Sequence, residues 1–193
     1  QVARTLARLH SCSAGNAALR EQFATDDIFY PIRLEPYLIE TSRKHPQVRA
    51  NLEQMSESTL ATKLALVHGD VSPKNILIGP KLPVILDAEC AWYGDPAFDV
   101  AFCLNHFLLK CLARPAWTAR YLDCFDQFSA TYLTAVQWES SADLEARVAR
   151  LLPALFLARI DGKSPVEYVV DEADKDLVRS VARKQHAAVP ERL

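Results

Sequence analysis

The chain has 193 residues, 22 of them basic and 24 acidic, with a formal net charge of −2 and half of its residues hydrophobic. That length and apolar content suit one globular domain with a sizeable core. The near-neutral balance argues against a nucleic-acid binder, which normally carries a basic patch or stripe, and the scarcity of glycine (5 residues) with no low-complexity stretch argues against a disordered chain.

Five cysteines, an odd number with no C-x-x-C pair, argue against a disulfide framework or a structural zinc site and for a reducing compartment. No apolar run of signal-peptide length opens the chain. The most apolar stretch, Val100–Leu112, is interrupted by Asn105, His106 and Lys110 and is too short and polar to span a membrane. A cytoplasmic protein with neither membrane nor nucleic-acid partners is expected. The sequence does not open with Met, which fits a start inside a larger protein.

Val2, Leu6 and Leu9 recur at helical spacing and predict an opening helix that ends near His10. Helices follow at about 34–44 and 47–62, with Pro31, Pro36 and Pro46 as breaks. Leu64–Val67 is a short apolar run. Asn75–Ile78 and Val84–Leu86 are β-rich and flank Gly79-Pro80-Lys81-Leu82, which predicts a hairpin. After Asp95 the pattern is helical at about 96–112, 117–136, 141–159 and 165–184. The fold class is α+β and mostly α, with helices packed around a small hairpin.

The densest polar residues flank that hairpin: His68-Gly69-Asp70-Val71-Ser72-Pro73-Lys74-Asn75 before it and Asp87-Ala88-Glu89 after it. A turn pairing Ile78 with Pro83 and Leu77 with Val84 brings Asn75 and Asp87 together at the open end. Opposed residues have Cβ atoms about 5 Å apart, so both side-chain oxygens reach one ion. An amide oxygen and a carboxylate are hard ligands suited to Mg²⁺, with water and phosphate filling the other positions. Asp70 enters the same site from the preceding loop.

His-x-Asp-x-x-x-x-Asn followed by a strand-end Asp resembles the phosphoryl-transfer arrangement of the protein-kinase-like fold. His68-Gly69-Asp70, Asp87-Ala88-Glu89 and Gly94-Asp95-Pro96-Ala97-Phe98-Asp99 are together similar to the aminoglycoside phosphotransferase and choline kinase branch. Leu6-Ala7-Arg8-Leu9-His10 and Gly162–Tyr168 also look like that family, so the resemblance spans nearly the whole chain.

The resemblance implies that residues 1–193 are the C-terminal catalytic lobe of a small-molecule kinase, with ATP as co-substrate, Mg²⁺ as cofactor and a small hydroxyl compound as acceptor. Asp70 is then the catalytic base, and Asn75 and Asp87 are the metal ligands. His68 buttresses the loop. Asp99, in an apolar helix, must be paired, and the backbone amides of the catalytic loop are its implied partners. Glu89 and Ser72 stand as substrate or metal contacts, with salt bridging an equal reading for Glu89. Ser72 occupies the place where protein kinases commonly carry a lysine, which argues against a protein substrate.

The bland readings prevail elsewhere. Asp95 before Pro96 reads as a helix N-cap, Lys74 as a solvated side chain, and Trp92 and Tyr93 as packing. Cys103, His106 and Cys111 pack on one apolar helix rather than hold a metal. Asp123, Asp126 and Asp161 are unranked candidates for acceptor contacts. No glycine-rich phosphate loop or Val-Ala-Ile-Lys-like strand precedes His68, so the nucleotide-binding lobe is expected to be missing. The face it would cover is expected to self-associate. Two other readings stand beside the kinase: a kinase-like lobe serving as a non-catalytic scaffold, and a metal-dependent hydrolase using His68, Asp70 and Asp87.

Overall fold

The computed structural model describes residues 1–188 and 190–193. Helix α1 (Val2–Ser13) buries Ala3, Leu6, Ala7, His10 and Ser13, one face at three- and four-residue spacing. It runs three residues beyond His10, because Ser13 is drawn inward: its hydroxyl accepts from the Leu66 amide at 2.9 Å. Two short helices absent from the sequence reading follow, α2 (Ala17–Gln22) and α3 (Asp26–Phe29).

The helix expected at 34–44 is wound differently. Tyr30–Ile39 forms a π-helix that passes into α4 (Glu40–Lys44), and Pro36 lies inside it instead of ending it. Proline has no N–H to give to a turn, and the wider winding accommodates its ring. The Pro36 carbonyl accepts from the Lys163 amide at 2.9 Å. Helix α5 (Arg49–Ala61) completes this half.

Two small antiparallel sheets occupy the middle of the chain. Strand β1 (Ala65–Val67) pairs with β4 (Trp92–Gly94), placing Ala65 opposite Gly94 and Val67 opposite Trp92. Strands β2 (Ile76–Ile78) and β3 (Pro83–Ile85) form the hairpin, with Ile78 opposite Pro83 and Leu77 opposite Val84. The Leu86 amide donates to the Asn75 carbonyl at 2.8 Å and carries the pairing one step further. The strand β4 has no alternation to reveal it. Its three residues are all buried, and a Cβ at position 94 would overlap the Trp92 ring.

Helix α6 (Pro96–Ala113) is the central element, packed against α7 (Thr118–Thr134) and α8 (Ser141–Asp161), with α9 (Glu172–Ala188) outside α8. The carboxylate of Asp95 caps α6, accepting from the Ala97 amide at 2.9 Å, and is gripped by Arg147 at 3.0 Å. Helix α6 is long and apolar enough to cross a membrane by composition, yet 67% of it is buried within the fold. That burial is the packing of a core helix. Leu104, Leu144, Val148, Leu155 and Leu157 are fully enclosed here, each such side chain contributing about 1.5–3 kcal/mol of transfer free energy.

The last helix starts later than the expected 165. Val166 and Val169 have helical spacing, but they cover Leu109, Phe156 and Val178 from a turning segment. The Val166 amide donates back to the Arg159 carbonyl at 2.8 Å. Asp171 begins α9, its side chain accepting from the Ala173 amide at 2.7 Å.

Candidate active site

The loop from β1 to β2 is fixed from below by one carboxylate. Asp99, in the first turn of α6, is fully buried. Its Oδ2 accepts from the His68 amide and its Oδ1 from the Gly69 amide, both at 2.7 Å. The same carboxylate meets His10 Nε2 at 3.2 Å, and His10 Nδ1 lies 2.5 Å from the Tyr132 hydroxyl. Thus α1, α6 and α7 converge under the loop. A buried carboxylate is tolerated only with such partners.

Gly69 has φ of +81°, and a Cβ there would sit 2.8 Å from Cys90 Sγ. Only glycine meets both demands without strain. The turn delivers Asp70, whose side chain is 8% exposed and is met by Arg33 Nη2 at 3.2 Å. Arg33, from the π-helix, also donates through Nε to the Gly69 carbonyl at 2.5 Å. Lys74 approaches the same carboxylate at 3.4 Å from solvent and contributes little, since exposed pairs are worth about 0–1 kcal/mol. Burial raises the neighbouring Cys90 thiol to about 11, so it stays protonated.

His68 Nδ1 accepts from the Asp70 amide at 3.2 Å, while its Nε2 is buried without a partner among the described residues. Ser72 is buried and its hydroxyl is likewise unpartnered. Its carbonyl accepts from the Asn75 amide at 2.9 Å. Asn75 is buried, and its Nδ2 donates to the Asp70 carbonyl at 3.1 Å, which orients Oδ1 as the remaining acceptor. Asp87 follows β3 with φ of +68°, a left-handed conformation that costs a non-glycine residue about 1–3 kcal/mol. Asp87 and Glu89 are both exposed.

Among the described residues, no three His, Cys, Asp or Glu side chains gather to hold a metal. The donor set at the hairpin is one amide and one carboxylate. That pair fits Mg²⁺, which keeps several waters and takes phosphate oxygens alongside one or two protein ligands.

Several other candidates lie elsewhere. Asp161 is engaged by Arg179 at 2.8 Å and His45 at 2.9 Å, and the Arg179 contact holds its carboxyl below the usual range. Asp123 and Asp126 are exposed on α7. Trp92 is fully buried and stacked on Phe29 with ring centroids 4.2 Å apart. The buried Cys103 thiol is pushed up to about 12.

Arg33 and Tyr132 escaped the sequence reading, and His10 entered it only as the expected end of α1 and within a quoted segment. Arg33 has one signal, a lone cation in the apolar run Tyr30–Leu34. Nothing local marks Tyr132.

A model of the phosphotransferase enzyme family matches residues 1–131. The chain belongs to that family. The matched range contains α1, the loop with Asp70, the hairpin and α6. A methylthioribose kinase from Erwinia tasmaniensis is 31% identical over 86 residues, 45% of this chain and 21% of the relative. A methylthioribose kinase from Bacillus cereus is 31% identical over 67 residues, 35% of this chain and 17% of the relative. The chain therefore matches less than a quarter of the length of these curated relatives.

Proposed function

We propose that this chain is the C-terminal catalytic lobe of an ATP-dependent small-molecule kinase that acts in the cytoplasm. Its acceptor is a hydroxyl compound such as an aminoglycoside, amino alcohol or sugar, and the names of the two relatives favour a sugar of the methylthioribose kind. Neither a glycine-rich phosphate loop nor a Val-Ala-Ile-Lys-like strand precedes His68 in its sequence.

The observation that carries the reading is the mounting of Asp70. Its carboxylate is presented on a loop pinned by Asp99 and Arg33, beside the open end of the Asn75 and Asp87 hairpin. Asp70 orients the acceptor hydroxyl and accepts its proton. The acceptor oxygen forms a bond to the γ-phosphorus as the bond to the departing ADP oxygen breaks. Asn75 and Asp87 would hold Mg²⁺, which would supply neutralisation of the phosphate charge. Asp99, His68 and the Gly69 turn keep Asp70 in place, while Ser72 and Glu89 face substrate or metal.

The test is phosphoryl transfer from ATP with Mg²⁺ across a panel of hydroxyl acceptors. Transfer that falls about 10²–10⁴-fold in Asp70→Asn, with circular dichroism unchanged, supports the reading. Turnover near that of the parent in Asp70→Asn sinks it.

A further inference from the structure

Between α5, α8 and α9 lies a cavity of about 500 Å³, a volume within the range of small-molecule sites. Asn51, Gln54 and Ser58, at spacings of three and four residues, turn one polar face of α5 toward it. Met55 and Leu151 add apolar surface from α5 and α8. Thr59 lines the same wall and is 3% exposed, and its hydroxyl has no hydrogen-bond partner among the described residues. A buried hydroxyl that borders a cavity of this size is satisfied by what enters it.

Two arginines of α8 reach the cavity, and they differ. Arg147 donates through Nε to Asp95 at 3.0 Å, and through Nη2 to Asp95 at 3.1 Å and to Glu139 at 2.7 Å. One guanidinium therefore faces two carboxylates, and its charge is neutralised within the wall. Its Nη1 makes no hydrogen bond among the described residues. Arg150, three residues on, is exposed and forms no ion pair among the described residues. His186 also lines the space, and burial lowers its pKa to about 4, so it adds no charge near pH 7. The cavity thus holds one cation without a counter-ion, beside a row of neutral hydrogen-bonding groups.

The geometry points to a second ligand site here, for a small organic monocarboxylate with a hydroxylated body. Arg150 takes the carboxylate through the paired N–H groups of its planar fork. The α5 face, with the Thr59 hydroxyl and Arg147 Nη1, takes the hydroxyl oxygens, and Met55 and Leu151 cover the carbon chain. A polyphosphate does not suit this balance: it brings several negative charges to a wall that already carries Asp95 and Glu139 and offers one unpaired guanidinium. The site is separate from Asp70, Asn75 and Asp87, none of which lines the cavity, and it stands without the kinase reading.

The experiment is calorimetric titration of the full chain near pH 7 with gluconate, gluconamide and pyrophosphate. Saturable binding of gluconate is expected. Gluconamide, which keeps the hydroxyls and lacks the charge, is expected to bind at least about tenfold more weakly, and pyrophosphate not to compete. Arg150→Gln is expected to weaken gluconate about tenfold at an unchanged melting temperature, and Arg150→Lys to restore part of that loss. Gln54→Trp, which fills the cavity from an exposed position, is expected to abolish binding. Gluconate binding that survives both Arg150→Gln and Gln54→Trp lies elsewhere on the chain and overturns the inference. Gluconamide or pyrophosphate binding as tightly as gluconate overturns the assigned ligand class, and no saturable binding of gluconate overturns the site.

Discussion

Asp70 sits between two cations of unequal weight. Arg33 is buried and divides its guanidinium between the Gly69 carbonyl and the Asp70 carboxylate, whereas Lys74 reaches the same carboxylate from solvent. Removing Arg33 leaves the Asp70 carboxylate without its buried partner and with only the solvated Lys74, and breaking a buried pair in this way costs about 3–5 kcal/mol. Arg33→Ala is therefore expected to lower the urea midpoint strongly, while Lys74→Ala leaves it nearly unchanged. Arg33→Lys restores little, because a point charge cannot serve both acceptors as the planar fork does. Equal stability of the Arg33 and Lys74 variants would refute this division. At the neighbouring turn, Gly69→Ala combines a left-handed backbone with a Cβ only 2.8 Å from Cys90 Sγ. A loss of at least about 1–3 kcal/mol is expected in chemical unfolding.

At the scale of elements, α6 connects the core to the loop through Asp99. Its two oxygens serve two amides and His10, so each lost acceptor leaves a buried donor at about 1–3 kcal/mol. Asp99→Asn keeps the shape but turns one oxygen into a donor facing a donor. That variant is expected to unfold at lower denaturant and, on the proposed function, to lose phosphoryl transfer through the loop that Asp99 holds. A Gly69 amide that remains as slow to exchange with deuterium as in the parent would contradict the bracing. The hairpin is a looser element: Leu77, Ile78, Leu82, Val84 and Leu86 are all exposed, Ile78 at 70%. An exposed apolar hairpin of this kind, with Leu77 and Val84 on one face and Ile78 on the other, is covered in most proteins. The chain is expected to self-associate in sedimentation equilibrium, and the double change Ile78→Lys with Val84→Lys is expected to return it to monomer. A monomer at every concentration in the parent chain removes that expectation.

Across the whole molecule, stability carries a pH signature from two histidines. Burial lowers both His106 and His186 from 6.5 to about 4, with Arg159 adding to the effect at His106. Each is neutral in the fold and titrates near its ordinary value once unfolded. Between pH 6.5 and about 4 the unfolded chain binds more protons, so stability is full above that window and is lost as pH falls through it. Melting temperature is expected to drop across that range, and His186→Phe to flatten part of the slope. A melting temperature constant from pH 7 to 4 would show that the two rings are not buried as neutral groups. His186 also lines a cavity of about 500 Å³ between α5, α8 and α9, with Met55, Leu151 and Arg147. Asp70, Asn75 and Asp87 do not line that cavity, so a flattened slope is expected without a change in nucleotide binding.

The sequence by itself determined where His68, Asp70, Asn75 and Asp87 sit relative to the hairpin, because they lie within one local stretch whose register follows from turn length and strand pattern. It also determined the long helices α6, α7 and α8, where apolar periodicity runs for several turns. Tertiary structure decided what periodicity does not encode. The winding of Tyr30–Ile39 depends on where Pro36 finds partners. The late start of α9 depends on Val166 and Val169 covering Phe156, and β4 exists only because β1 pairs with it. The bracing of Asp70 by Arg33, and of Asp99 by His10 and Tyr132, joins residues far apart in the chain. Such contacts arise from burial of polar groups that must find partners wherever the fold places them, and no local pattern records that search.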